Sequence, residues 1–162
     1  MKRDIPSAHP EHIPMSLPRV DYTSLASDAY KGLLKVSHGL HHGSLDAVLL
    51  DLVKQRASQI NGCTYCLDMH GKALRESGID PRKLDTLAAW HESPFYDARE
   101  RAALAWTEAL TRVGETHAPD GIYAGLLPHF DETQIAELTF VIAVINAWNR
   151  MGVGLRSPLP GT

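Results

Sequence analysis

Along most of this chain apolar residues recur every third or fourth position, and in no stretch convincingly every second one. A helix brings i, i+3, i+4 and i+7 to one face, whereas a strand alternates faces residue by residue, so the spacing predicts an all-α fold. From Tyr22, residues Leu25, Ala26, Ala29, Tyr30, Leu33 and Leu34 trace one buried stripe of a long first helix that should stop near Gly39 and Gly43. Ser44 is placed to cap a second helix, in which Leu45, Val48, Leu49, Leu52, Val53, Ala57 and Ile60 share a face as far as Asn61-Gly62. A third is expected from Cys63 to Glu76, closing at Ser77-Gly78, and Pro81 suits the first turn of a short one. Ala102, Trp106, Ala109, Leu110 and Val113 keep helical spacing, and one more short helix fits between 119 and 127. The last segment opens on Asp131 as a cap and then turns apolar nearly all round, which predicts burial in the core or in a subunit interface.

A chain of 162 residues suits a single domain with one substantial core. Residues 1–20 are expected to form an extended arm, because Pro6, Pro10, Pro14 and Pro18 deny a helix by removing amide donors and restraining their predecessors. The all-helical domain would then occupy 21–162, and His9 and His12 read as solvated tail residues. With 16 basic and 19 acidic residues interspersed, a net charge of −3 creates no field that would attract nucleic acid or an anionic membrane. The N-terminus has no signal-peptide core, and the uncharged apolar stretch from Leu138 to Trp148 is far short of the roughly 20 residues that cross a bilayer. The chain reads as cytoplasmic, with no membrane partner.

The only two cysteines lie three apart in "NGCTYCLDMHGKAL", with a histidine four residues further on. On a helix beginning at Cys63, Cys66 and His70 fall on the same face within two turns. Three readings compete. A zinc site needs four ligands, or three and a water, and only three are local; His38, His41, His42, His91, His117 or His129 would have to supply another. Inert burial suits cysteine as a residue type, but Asn61, Thr64, Asp68 and His70 make the flanks polar. A redox centre requires an attacking thiolate, a second thiol to capture the sulfenic acid and a proton carrier, all of which are present. The sulfur nearest the helix start feels unpaired amides and the positive end of the helix dipole, so electrostatics alone favours Cys63 as the thiolate.

The stretch "DLVKQRASQINGCTYCLDMHGKALRESGID" resembles the core motif of the AhpD-like alkylhydroperoxidases of the carboxymuconolactone decarboxylase superfamily. The likeness covers about Leu45 to Asp80 closely, and "ERAALAWTEALT" and "INAWNR" are similar to the family's later helices. It implies an all-α, homo-oligomeric fold and a motif of an acidic residue, eleven residues, then Cys-x-x-Cys-x-x-x-His. The acidic position here is Asp51, where the family usually has Glu, so the side chain is one methylene shorter and is expected to reach the thiols only through water or a shifted backbone. A turn at Asn61-Gly62 would fold the second helix back beside the third and bring Asp51 to the trio; the alternative is a surface pair with Lys54 at i+3.

By this resemblance Cys66 is the peroxidatic thiol and Cys63 the resolving one, with His70 and Asp51 as the proton relay. The implied activity is a thiol-dependent peroxidase that takes a peroxide as substrate and an external dithiol as reductant, with no cofactor and no metal. Another branch of the superfamily decarboxylates a lactone without a cysteine pair, so retention of the pair favours thiol chemistry. Ile60, Leu67, Met69 and the last helix would give the site apolar surroundings suited to an organic hydroperoxide. Trp106 and Trp148 are candidate pocket walls, with core packing the more ordinary role.

Overall fold

The last helix, α9 (Glu132–Leu155), and the central helix α3 (Ala47–Asn61) form the axis around which the other elements pack. The computed structural model describes residues 17–159. Pro6, Pro10, Pro14, His9 and His12 of the expected arm lie outside the described residues. In chain order the remaining helices are α1 (Tyr22–Leu25), α2 (Ser27–Leu40), α4 (Thr64–Glu76), α5 (Pro81–Asp85), α6 (Ala98–Thr111), α7 (Val113–Thr116) and α8 (Asp120–Ala124). A 3₁₀ turn at Leu87–Ala89 follows α5, and among the described residues there is no strand, as an all-α fold requires.

Helix ends follow local side-chain chemistry. Asp46, rather than Ser44, caps α3 by accepting from the Leu49 amide at 2.8 Å. Ser44 is instead drawn to Glu137 of α9, which accepts from both its amide and its hydroxyl. Asp97 and Asp131 open α6 and α9 with reciprocal capping boxes to Glu100 and Gln134. Gly62 ends α3 with φ 67°, the left-handed conformation that lets the chain reverse at once into α4.

The first predicted helix is two, broken at Ala26, and its apolar stripe is not buried in the core. No residue of α2 is fully buried, because the stripe faces a cavity against α9 instead of closing on side chains. The core lies elsewhere. Leu49, Leu50 and Val53 of α3 meet Ala103 and Trp106 of α6 and Leu138, Val141 and Ile142 of α9, while Leu52 faces Leu74, Leu87 and Leu104 in a second cluster.

Helix α9 is apolar enough, at a mean hydropathy of 1.3, and long enough to match a membrane-crossing helix. It is covered on one side: Leu138, Val141, Ile142 and Ile145 are buried, whereas Phe140 remains 60% exposed. Buried Asn146 and Asn149 interrupt the apolar face. Asn61 at the end of α3 donates to both of them, and Asn149 donates to Ser58, so the two helices are pinned by polar groups close to the turn that leads into the cysteines.

Candidate active site

Cys63 is the N-cap of α4, and its sulfur accepts weakly from the Cys66 amide at 3.4 Å. Cys66 stands in the first turn of the same helix, and the two are paired as a disulfide with Cα atoms 5.4 Å apart. Both sulfurs are buried, together with Ala57 and Ile145 and against Tyr65 and Trp148. Only Cys66 is among the residues lining the adjoining cavity; Cys63 lies behind it, against Gly152 of α9. A β-carbon on Gly152 would fall 2.7 Å from Cys63 Sγ, so this close approach of helix and sulfur requires glycine.

His70 follows one turn after Cys66 and also lines the cavity. The reversal at Gly62 lays α3 alongside α4 and places Asp51 Oδ1 3.0 Å from His70 Nδ1. Asp51 therefore reaches the imidazole directly, and it is through His70 that its carboxylate is linked to the cysteine helix. Burial by itself would raise the Asp51 carboxyl, but the His70 hydrogen bond and the Lys54 charge outweigh it and hold the group below its ordinary value. An ionised carboxylate only accepts, so Nδ1 carries the hydrogen and Nε2 is the ring nitrogen free to exchange a proton.

The Lys54 pairing also exists, at 3.8 Å from the same oxygen, so Asp51 serves both partners. Lys54 Nζ also lies 3.2 Å from His41 Nε2, just past α2. The line His41, Lys54, Asp51, His70 thus links α2, α3 and α4. Burial lowers the Lys54 ammonium from its ordinary value, and burial followed by the Lys54 charge lowers His41. Zinc would need ligands that are not assembled here: among the described residues no three His, Cys, Asp or Glu side chains are arranged to hold a metal ion.

The cavity measures about 600 Å³ and is mainly apolar, with Leu34, Val141, Val144, Ile145 and Met69 in its walls. Ile60 and Leu67, expected near the site, are not part of its lining. The two tryptophans divide their roles. Trp148 is a wall, held by a hydrogen bond to Ser37 at 2.9 Å and an edge contact with Tyr30. Trp106 belongs to the core and donates to Thr139. The sequence reading named His41 only as a possible metal ligand and left Gly152 unmarked; the "NAWNRMG" run, with Asn146, Asn149 and Gly152 three apart on one helix face, was the available signal for the glycine.

A helical scaffold that sets a Cys-x-x-Cys pair on a helix start, with a carboxylate-bound histidine one turn on, defines a dithiol–disulfide protein class. Residues 27–109 match the carboxymuconolactone decarboxylase family. The uncharacterized protein YdfG of Bacillus subtilis is 34% identical over 137 residues, which is 85% of this chain and 93% of YdfG. Among solved structures, ATU0492 of Agrobacterium tumefaciens, a protein of unknown function tied by name to AhpD and antioxidant defence, superposes with a TM-score of 0.86. It is 37% identical, over 90% of this chain and all of that one. The debrominase Bmp8 shares the fold, with a TM-score of 0.76 at 19% identity over 86% of this chain and 75% of its own. The chain belongs to the carboxymuconolactone decarboxylase family, as an AhpD-like member of that superfamily.

Proposed function

We propose that this protein is a thiol-dependent peroxidase acting on organic hydroperoxides. The observation that carries the reading is the division of labour between the sulfurs: Cys66 faces an apolar cavity beside a carboxylate-held histidine, while Cys63 waits within disulfide reach behind it. In the reduced protein His70 takes the Cys66 proton, and the thiolate attacks the terminal oxygen of the hydroperoxide. The O–O bond breaks, the departing alkoxide receives that proton as an alcohol, and Cys66 becomes a sulfenic acid. The Cys63 thiol then attacks the sulfenic sulfur, forming the disulfide and releasing water. An external dithiol supplies two electrons and two protons to restore both thiols and is itself oxidised to a disulfide.

The cavity walls favour a peroxide with an apolar body over hydrogen peroxide. The test is peroxide consumption with dithiothreitol by the native protein, Cys66→Ser and Cys63→Ser. Loss of turnover is expected in Cys66→Ser, which also fails to form sulfenic acid, whereas Cys63→Ser should still form it and turn over only as fast as dithiothreitol reduces it directly. Equal rates from native protein and Cys66→Ser remove the assignment.

A further inference from the structure

Among the described residues Lys54 is the one lysine lining the cavity, and its position is unusual for a lysine. Its side chain is only 11% exposed, on the face of α3 that turns toward the thiols. Leaving a cation there is costly unless it is held by partners, and two hold it: Asp51, shared with His70, and His41. An ammonium has three donors and no acceptor, so the contact with His41 Nε2 runs from lysine to a neutral ring.

The geometry points to Lys54 as a positioning residue for the thiol chemistry: anchored by His41 and set against Asp51, its charge supplies the positive field in which Cys66 gives up its proton. This deepens and rests on the peroxidase reading. The physical content is a sign. A fixed positive charge makes proton uptake harder at every acid and base around it, and its removal makes uptake easier at all of them together. The groups concerned are Asp51, paired with Lys54 on α3, and, in the cavity lining, Tyr22 on α1, Tyr30, His38 and His41 on or just past α2, and Tyr65, Cys66 and His70 on α4. The cavity lining from α9, which includes Val141, Val144, Ile145, Trp148 and Gly152, brings no titratable side chain. Asp21, the carboxylate among the described lining residues, is tied up by Thr23 and Ser24 and held at about 2.

Lys54 also pins the carboxylate. Asp51 has a short side chain, and one oxygen receives both the imidazole and the ammonium, which limits the rotations that would part it from His70.

The experiment uses the full chain with Cys63→Ser, so that Cys66 is the single thiol. Its alkylation by iodoacetamide and its thiolate ultraviolet absorbance are followed against pH, with circular dichroism confirming helicity. Adding Lys54→Met should raise the midpoint by about one pH unit, which is about a tenfold slower reaction below the midpoint. Lys54→Arg should restore it, and Lys54→Gln gives a second uncharged variant if methionine is not tolerated. An unmoved midpoint in a folded uncharged variant overturns the proposal, as does a midpoint in Lys54→Arg displaced as far as in Lys54→Met. Neither measurement involves peroxide. A native protein that consumes no peroxide while the midpoint still moves would remove the peroxidase reading and leave the role of Lys54 standing.

Discussion

Gly152 of α9 and Cys63 at the start of α4 are packed so closely that a methyl group on the glycine would stand 2.7 Å from the sulfur. The helix backbone forms the floor on which the Cys63 sulfur rests. Nor is α9 free to retreat, since Asn149 and Asn146, one and two turns before, are bonded to Asn61. Gly152→Ala should therefore displace the sulfur more than the helix. Overpacking of this kind costs roughly 1–3 kcal/mol, despite the gain in helix propensity from alanine. Thermal melting of the oxidised protein should show that loss, and thiol titration should show slower closure of the disulfide. A variant as stable and as readily oxidised as the native protein would mean that the approach is relieved without cost.

Asp51→Asn keeps the shape of the side chain and removes its charge. The imidazole keeps a hydrogen-bond partner through the amide oxygen but loses the anion that favours its protonated form. If the carboxylate assists proton transfer from Cys66, sulfenic acid formation should slow by roughly a hundredfold, the lower end of what a positioned acid–base group supplies. Stopped-flow trapping of the sulfenic acid measures this, and an unchanged rate would reduce Asp51 to a structural partner of Lys54.

The positions of these groups were unequally legible in the sequence. The helical period and the Asn61-Gly62 punctuation place α3 and α4 side by side, because a left-handed glycine after a helix leaves an antiparallel return as the short route. The period of the first segment reads equally well as a core stripe or as a cavity wall: spacing says which residues share a face, not whether that face closes on atoms. The same limit applies to α9, whose apolar surround predicts burial in the core or in a subunit interface: one face closes on the core, and Phe140 is exposed on the single chain. The reach of Asp51 was illegible for another reason. A side-chain length rules on contact only when the separation of two backbones is known, and α3 lies near enough to α4 for the shorter acid to reach His70.

Asn149 is 1% exposed and joins Asn61 to Ser58. Asn149→Ala would leave a cavity and strip both neighbours of a partner, at a cost of roughly 2–3 kcal/mol. Urea unfolding should register this as a lower midpoint with an unchanged slope. Because the same contacts pin α9 to the end of α3 beside the turn into the cysteines, the folded variant should also oxidise its thiols more slowly than a core variant of equal instability, such as Leu87→Ala. Equal oxidation rates in the two would show that the asparagines stabilise the fold without fixing the site.

Glu108 of α6 should contribute to the acid limit of stability. Burial opposes its ionisation, but the Trp90 indole and the Arg56 guanidinium, each 2.8 Å from Oε1, overcome that and hold its carboxyl below the ordinary value, as His70 and Lys54 do for Asp51. A carboxyl whose folded value is depressed binds protons more readily in the unfolded chain. Its contribution is therefore complete above the unfolded value, about 4.3 for Glu and about 3.9 for Asp, and drains away as pH falls through the lower folded value. Denaturant unfolding at neutral pH and through this acid window should show stability falling together with proton uptake. Glu108→Gln cannot be protonated, so it should be less stable at neutral pH by roughly 1–3 kcal/mol, yet lose less on acidification than the native protein. Parallel acid curves for the two would place the source of the acid limit outside the Arg56–Glu108–Trp90 cluster.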